Sequence, residues 1–216
     1  ACEKCLQWQG ALELLLGLSA RGLSPDVILF NAAISACEKG HRWEHASQML
    51  GDLRCSGLRP GVVSFNAAIS ACEKCERWDL ALRLLGELRR GRLRPDVVTY
   101  DASISACEKC RRWRQALRLL WGLQGAGLKP IVITCSAAVG ACAACEQWEP
   151  AVQLLSSLWQ GALEPNDVVY TVVISASAAG SQWLKVLDLM SEMHLKDVRP
   201  EAATYASALP VRAGGS

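Results

Sequence analysis

The sequence predicts an all-α fold, an α-solenoid of stacked helix–turn–helix repeats that are each 35 residues long. One observation behind this prediction is a tryptophan that recurs at a constant step of 35 residues, and another is a proline with the same step. Two unrelated residue types that share one period across 216 residues indicate stacked repeats, for which periods of about 20–50 residues are typical. The tryptophans are Trp8, Trp43, Trp78, Trp113, Trp148 and Trp183, and the prolines are Pro25, Pro60, Pro95, Pro130, Pro165 and Pro200.

The period divides the chain into five complete repeats with a partial repeat at each end, forming one continuous solenoid. Positions within a repeat are numbered from 1 to 35, so that position 1 of the second complete repeat is Val62. Solenoids need polar capping repeats, so we expect further repeats or a partner to cover the two uncapped ends. The complete repeats are 27–61, 62–96, 97–131, 132–166 and 167–201, and the partial ones are 1–26 and 202–216.

Two helices are predicted within each repeat, and the second complete repeat shows them well. The first helix covers residues 63–74, where apolar residues recur at helical spacing. The second covers residues 78–89, whose apolar residues form one stripe. Alanine recurs at position 10 and tryptophan at position 17, and small side chains facing large ones suit close helix packing. We therefore interpret the recurring tryptophans as core residues, and we expect Trp121 and Trp159, which lie outside the period, at the surface.

Charge is distributed unevenly along the chain, although the net charge is only +2. Residues 1–131 contain 19 Lys and Arg against 13 Asp and Glu, whereas residues 132–216 contain 4 against 8. A polyanion would prefer the N-terminal part, unless the basic residues are simply solvated helix ends. No apolar run reaches the roughly 18 residues of a membrane-spanning helix, so no membrane span is expected. The clustered arginines are Arg89, Arg90, Arg92, Arg94, Arg111, Arg112, Arg114 and Arg118.

The repeat also carries a set of short recurring motifs. They are VVxYN at its start, ACEKxxxW in its middle, ALxLL in the second helix and LRPD at its end. A helical hairpin of 35 residues with these motifs resembles the pentatricopeptide repeat, and the resemblance covers essentially all of residues 1–209. It implies a right-handed superhelix whose first helices line a concave groove for single-stranded RNA, with about one base bound per repeat.

The resemblance assigns roles to particular positions of each repeat. Positions 5 and 35 would read the base, in the pairs Asn31 with Gly61, Asn66 with Asp96, Asp101 with Ile131, Ser136 with Asn166, and Thr171 with Glu201. Position 2 would sandwich the base between neighbouring repeats, and its residues are Ile28, Val63, Val98, Ile133 and Val168. Position 13 would contact a phosphate through Lys39, Lys74 and Lys109, and Ala144 and Ala179 follow at this position.

Two of the five pairs match combinations that the family uses to select a base. Asn66 with Asp96 resembles the uridine-type pair, and Ser136 with Asn166 resembles the adenine-type pair. The other three pairs depart from the family pattern. Since one good pair contributes about 1–3 kcal/mol of discrimination, two pairs predict weak sequence selection.

A purely structural interpretation of the same positions stays open. Asp26 and Asp96 stand directly before a predicted helix, where an aspartate is a favourable N-cap. Asn31 and Asn66 lie in the first helical turn, where a polar side chain helps to satisfy free backbone N–H groups.

The chain contains eleven cysteines, several of them in CxxC pairs that raise the alternative of a zinc or redox site. Other repeats replace a pair by Cys37 with Gly40 or Ser177 with Gly180, which indicates a small buried residue followed by a turn. We therefore expect no metal and no cofactor. The CxxC pairs are Cys2–Cys5, Cys72–Cys75, Cys107–Cys110 and Cys142–Cys145.

No candidate catalytic residues depart from the repeat period. Glu38, Glu73 and Glu108 recur beside lysines and are interpreted as part of a solvated face. We expect a non-catalytic adaptor that binds single-stranded RNA, located by resemblance in a chloroplast or a mitochondrion. The alternative is a scaffold subunit of a large organellar protein or ribonucleoprotein complex, in which the solenoid makes protein–protein contacts. The degenerate closing positions and the loss of the position 13 lysine after Lys109 motivate this alternative.

Overall fold

The structure, a computed structural model, describes residues 8–15, 17, 25–160 and 165–208, without the side chains of residues 159 and 160. Within these ranges the chain consists of helices and short turns and contains no strand, and residues 8–15 are helical. None of the helices described is both long and apolar enough to cross a bilayer. The helices that follow are α1 (Val27–Lys39), α2 (Trp43–Cys55), α3 (Val62–Lys74), α4 (Trp78–Arg90), α5 (Val97–Lys109), α6 (Trp113–Gly125), α7 (Val132–Ala143), α8 (Trp148–Gln160), α9 (Asp167–Ala179), α10 (Trp183–Leu195) and α11 (Ala202–Ala208).

Local sequence explains where the first helices begin and where the hairpins turn. Asp26, Asp96 and Asn166 cap α1, α5 and α9, because each side-chain oxygen accepts a hydrogen bond from a backbone N–H in the first turn. Between the two helices of a repeat, the chain reverses at position 15, where a residue other than glycine adopts a left-handed φ of 55–57°. These residues are His41, Glu76, Arg111, Glu146 and Ser181.

The chain divides into two compact units, Ala1–Cys110 and Arg111–Ser216, hereafter the N-terminal and C-terminal units. In the N-terminal unit, the first helices α1, α3 and α5 pack side by side, and α2 and α4 pack against them. Ala68, Ile69 and Cys72 of α3 are fully buried, and so is Leu88 of α4. This core lies between the two helical layers and holds the N-terminal ends of the first helices in a row.

The C-terminal unit repeats this arrangement with a different core composition. The first helices α7, α9 and α11 are neighbours, and α6, α8 and α10 pack against them. Val139, Cys142 and Ile174 are fully buried, as is the ring of Tyr170. The cysteine at position 11 is therefore a small core residue in both units, as the sequence predicts.

Trp8 is buried in the core, as the sequence predicts, but the five recurring tryptophans after it are not, which corrects the interpretation for those five. Trp8 is 9% exposed and Trp183 is 39% exposed, and the four between them are half-buried. From Trp43 onward each is the first residue of a second helix. Trp8 lies against Gly40, where an added Cβ would come within 2.6 Å of the indole Cδ1. Trp148 lies against Gly180 in the same way.

An arginine at position 16 covers the same indole from the following repeat. The Arg42 guanidinium lies 5.3 Å from the Trp8 ring centroid, and that of Arg77 lies 4.3 Å from the Trp43 ring. Such cation–π contacts are favourable at partly exposed sites, by about 0.5–1 kcal/mol. Trp8 and Trp43 thus each contact the hairpin that follows them in the chain. Trp121 is 58% exposed, which confirms its expected surface position, and the Trp159 side chain lies outside the described residues.

The burial pattern predicts unequal effects for two substitutions in α3. Ile69 is fully buried, so Ile69→Ala should lower the free energy of unfolding by about 2–5 kcal/mol through lost burial and a cavity. Val63 is 66% exposed on the same helix, and Val63→Ala should change it by less than about 0.5 kcal/mol. Urea unfolding followed by circular dichroism measures both. Equal losses in the two variants would contradict the assignment of Ile69 to the core.

Candidate nucleic-acid interface

Within each unit, the position 2 side chains are exposed aliphatic residues at the N-terminal ends of the first helices. Their neighbours at positions 3 and 4 are mostly buried, so the helix direction leaves position 2 facing solvent. A β-branched residue is thus exposed at the same position of every complete repeat. The exposed fractions are 76% for Ile28, 66% for Val63, 58% for Val98, 72% for Ile133 and 51% for Val168.

Asn66 and Asp96 are held together by direct hydrogen bonds. The Asn66 Nδ2 donates to both carboxylate oxygens of Asp96, at 3.0 and 3.1 Å. The same carboxylate accepts the backbone N–H of Thr99 at 2.8 Å, so Asp96 also caps α5. The N-cap interpretation and the pairing interpretation therefore both describe this residue, and the two roles fix its orientation.

A hydroxyl at position 3 completes this cluster, and sequence reasoning missed it. The Thr99 Oγ1 lies 2.6 Å from the Asn66 Oδ1 and 2.7 Å from an Asp96 carboxylate oxygen. Ser64 Oγ donates to Asn31 Oδ1 at 2.6 Å, and Thr171 and Thr204 are joined at 2.7 Å. Hydroxyl residues recur at this position with the 35-residue step, which is the signal that could have revealed them.

The remaining pairs of the N-terminal unit are less complete. Asn31 has no carboxylate opposite it, because Gly61 occupies position 35, and Ser64 instead links the Asn31 amide to the Gly61 backbone N–H at 3.3 Å. Asp101 is half-buried in α5. Its predicted partner Ile131 belongs to the C-terminal unit, where it precedes α7 and is 43% exposed.

In the C-terminal unit, the paired residues bond to the backbone. Ser136 Oγ donates to the carbonyl of Val132 at 2.8 Å, and Asn166 Oδ1 accepts the N–H of Val169 at 3.1 Å. No hydrogen bond joins Ser136 to Asn166 in the described part of this unit. This pair is therefore less fixed than Asn66 with Asp96.

The last predicted pair shows a similar pattern. Thr171 Oγ1 donates to the carbonyl of Asp167 at 2.8 Å, and it also shares a hydrogen bond with Thr204 Oγ1 of the next first helix. Glu201 is exposed, and its backbone carbonyl accepts the N–H of Thr204 at 3.0 Å. Its carboxylate extends from the surface without a hydrogen bond to Thr171 in the described coordinates of this pair.

Two of the three predicted phosphate-binding lysines are engaged in ion pairs. Lys74 Nζ lies 2.8 Å from Glu38 Oε1, and Lys109 Nζ lies 2.6 Å from Glu73 Oε1. The side chains of Glu38 and Glu73 are only 20% and 15% exposed, which corrects their interpretation as part of a solvated face. Lys39 is exposed and forms no ion pair with any residue that the structure describes.

Serine hydroxyls reinforce the ion pairs at these two partly buried carboxylates. Ser70 Oγ donates to Glu38 at 3.0 Å, and Ser105 Oγ donates to Glu73 at 3.0 Å. A phosphate that recruited Lys74 would therefore leave a partly buried carboxylate with one donor fewer.

Burial makes the position 11 thiols poor ligands. It raises the pKa of Cys72 to about 12, with a smaller contribution from Cys75, and it raises that of Cys142 to about 12 in the same way. Metal binding and thiol exchange need the thiolate, which is scarce at such pKa values. The described residues contain no group of three or more His, Cys, Asp or Glu side chains placed to hold a metal ion.

The fold defines a class, that of α-helical repeat proteins built from stacked helical hairpins. The chain belongs to the pentatricopeptide repeat family. The PPR repeat family matches residues 60–109, the pentatricopeptide repeat domain matches residues 13–74, and the PPR repeat matches residues 168–198. No sequence among curated proteins matches the chain.

Solved structures show the same all-α repeat fold. The crystal structure of PPR10 from maize is 25% identical, with a TM-score of 0.72 over 94% of this chain, and this chain spans 29% of it. PPR10 in complex with an 18-nt psaJ RNA element is 18% identical over 93% of this chain and 35% of PPR10, with a TM-score of 0.57. The PPR domain of Arabidopsis thaliana protein-only RNase P 1 in complex with tRNA is 11% identical, with a TM-score of 0.73 over 83% of this chain and 95% of that domain.

The hydrogen bonds at Asp96 predict a pH-dependent contribution to stability. Partial burial alone would raise the pKa of its carboxyl, but the Thr99 hydroxyl, the Thr99 N–H and Asn66 together lower this pKa below its ordinary value. The carboxylate therefore stabilises the fold fully above its ordinary pKa of about 3.9, and this stability is lost as the pH falls through the lower folded value.

Asp96→Asn keeps an N-cap and removes the titrating group, so it isolates this effect. The stability advantage of the wild type over the variant should be constant from about pH 7 to pH 5 and shrink toward pH 3. When Asn66 is replaced by Ala in both proteins, the stability difference caused by Asp96→Asn should change less with pH, because the Asp96 carboxylate has lost one hydrogen-bond donor. Urea unfolding at each pH measures the difference, and an advantage unchanged down to pH 3 would contradict the lowered pKa.

Proposed function

We propose that this chain is a non-catalytic adaptor that binds single-stranded RNA along the row of first-helix N-termini, with about one base per repeat. The observation that carries the proposal is the hydrogen-bonded Asn66–Asp96 pair, which belongs to the same two neighbouring first helices as the exposed side chains of Val63 and Val98. Val63 and Val98 supply apolar surface for the two faces of a base. The Asn66 amide supplies hydrogen bonds to its edge.

The hydrogen bonds within the cluster decide what Asn66 can offer a base. An amide carries two N–H donors and an oxygen with two lone pairs. Asp96 accepts from one N–H of the amide, and the Thr99 hydroxyl, whose single proton is shared between Asn66 Oδ1 and Asp96, takes at most one lone pair of the amide oxygen. One donor and one acceptor remain, and a base edge with an adjacent acceptor and N–H, such as that of uracil, complements them.

The other repeats support modest sequence selection. Gly61 and Ile131 have no side-chain polar group, so their repeats can contribute apolar contacts but little discrimination. The Ser136–Asn166 pair lacks the direct bond that orients Asn66, so its selection of adenine would be weaker. By family resemblance, the RNA would be that of a chloroplast or a mitochondrion.

Exchanging one pair for another tests the proposal. Asn66→Ser with Asp96→Asn places the Ser/Asn combination of the fourth repeat into the second and keeps an N-cap on α5. The base preference at one RNA position should shift from uracil toward adenine, by roughly 5- to 150-fold for about 1–3 kcal/mol of discrimination. Fluorescence anisotropy with a set of short RNAs that differ at one position measures the shift.

Asn31→Ser is the matched control, because Asn31 faces Gly61 and has no carboxylate to orient it. It should leave the preference at the tested position unchanged. A wild-type chain that binds no short RNA above the nonspecific background at low salt would refute the proposal, and so would a double variant with unaltered base preference.

A scaffold role is the second candidate, and apolar side chains on α10 favour it. Leu184 is 81% exposed and Leu187 is 63% exposed, although second helices elsewhere carry Glu44 or Asp79 at the position of Leu184. Leu184→Ser with Leu187→Ser should then release the protein from a large organellar complex on a sucrose gradient. RNA binding by the wild type together with no effect of this variant on sedimentation would exclude the scaffold role.

A further inference from the structure

An arginine-lined pocket opens on the N-terminal unit where its second helices end. It has a volume of about 570 Å³, and its lining includes Arg54, Arg59, Arg90, Phe65 and Glu87. Arg54 comes from the last turn of α2 and Arg90 is the last residue of α4, while Arg59 lies in the loop that leads to α3. None of the RNA-binding positions assigned above belongs to this pocket.

One of the three arginines is fixed and neutralised by the protein itself. Arg54 Nη2 lies 3.0 Å from Glu87 Oε2, and the guanidinium lies 5.3 Å from the centre of the buried Phe65 ring. Arg59 and Arg90 are exposed and form no ion pair within the described part of the unit. The pocket therefore holds two uncompensated guanidinium groups beside one oriented one.

The surroundings of the pocket are basic as well. Its two loops and the helix ends before them, residues 52–61 and 87–96, contain six arginines and three carboxylates. Of the carboxylates, Glu87 pairs with Arg54, and Asp96 is occupied by Asn66 and Thr99. The corresponding segment 122–131 of the C-terminal unit has Lys129 as its single charged residue.

The pocket also lies close to the proposed base-binding row. Arg59 is two residues before Gly61, the residue that precedes α3, so their Cα atoms are at most about 7 Å apart. An RNA strand that places bases between position 2 side chains would therefore have its backbone within reach of the long Arg59 side chain. Arginine suits this task because its planar fork of donors matches a phosphate.

We propose that this arginine pocket binds a backbone phosphodiester of the RNA, through Arg59 and Arg90, and that it takes over the role expected of Lys74 and Lys109. The inference rests on the proposed RNA-binding function and adds the residues that carry the sequence-independent part of the affinity. Arg54 is a positioning residue, since Glu87 already balances its charge.

The salt dependence of binding tests this inference. For single-stranded nucleic acid, log K changes with log[salt] by about −0.7 for each phosphate contact. Arg59→Gln with Arg90→Gln should flatten the slope by about 0.7, so that raising the salt from 50 to 200 mM weakens binding about 2–3-fold less than in the wild type. The loss of affinity in this variant should be the same for every short RNA tested, because a phosphate contact does not depend on the base. Both residues are exposed, so the variant should fold, which circular dichroism verifies.

Lys129→Gln with Arg199→Gln is the matched control, since it removes the same charge from position 33 of two repeats that end in the C-terminal unit. For this control variant, the slope of log K against log[salt] should stay closer to that of the wild type. If the Arg59/Arg90 variant and the control have equal slopes, the inference is wrong, although the base exchange at Asn66 and Asp96 can still succeed. Absence of RNA binding by the wild type at 50 mM salt would remove the proposed function and this inference together.

An acidic protein segment is the rival ligand for the same chemistry. A fluorescent deca-aspartate peptide serves as its probe, measured beside a ten-nucleotide RNA under the same salt conditions. The proposal expects the RNA to bind more tightly and to respond to Arg59→Gln with Arg90→Gln. If the peptide binds more tightly and is the only ligand that this variant weakens, the pocket is a protein-binding site.

Discussion

The close approach of successive first helices is the constraint on which the rest of the structure depends. Ala68, Ala71 and Cys72 of α3 are fully buried, and α3 packs directly on α1 and α5. Small side chains allow backbones to approach closely. That approach brings the position 3 hydroxyl of one repeat within 2.6 Å of the position 5 side chain of the repeat before it. Packing in the core thus determines the geometry of the exposed surface, since the polar cluster forms only where neighbouring helices lie this close.

Periodicity predicted the fold because a 35-residue step constrains every repeat in the same way. In the second complete repeat, the predicted helices 63–74 and 78–89 each differ from the observed ones by one residue, since polar caps and turns define helix ends locally. The tryptophans show the limit of this reasoning. Trp43 and Trp78 recur as faithfully as a core residue would, but each begins a second helix and is only half-buried. A residue that recurs with the repeat period occupies a similar environment in each repeat, but the period does not show whether that environment is buried or exposed.

The candidate site was less predictable, for a related reason. Positions 5 and 35 could be assigned by resemblance, but their bonding depends on partners that one repeat contributes to another. Asp96 serves as an N-cap and as the partner of Asn66 because Thr99 bonds to both. The sequence left open whether Asp96 is an N-cap or helps to read a base, and the geometry shows that its carboxylate caps α5 and bonds to Asn66 at the same time. Ser136 and Asn166 have suitable side chains as well, yet Val169 replaces the hydroxyl at position 3 of the next repeat, and each side chain bonds to backbone instead.

The lysines and the pocket arginines differ in whether they already have an ion-pair partner. Withdrawing Lys74 from Glu38 to bind a phosphate would leave a carboxylate that is only 20% exposed with Ser70 as its remaining donor. The gain at the phosphate is then offset by the cost of an under-satisfied charge, which is large for buried groups. Arg59 and Arg90 have no such partner within the described unit, so a phosphate bound there adds a contact without breaking one. A repeat protein of this kind can therefore keep its ion-pair ladder for stability and use its loop arginines for the RNA backbone. Under the proposed function, base selection and backbone attraction reside on different residues, and each can change without the other.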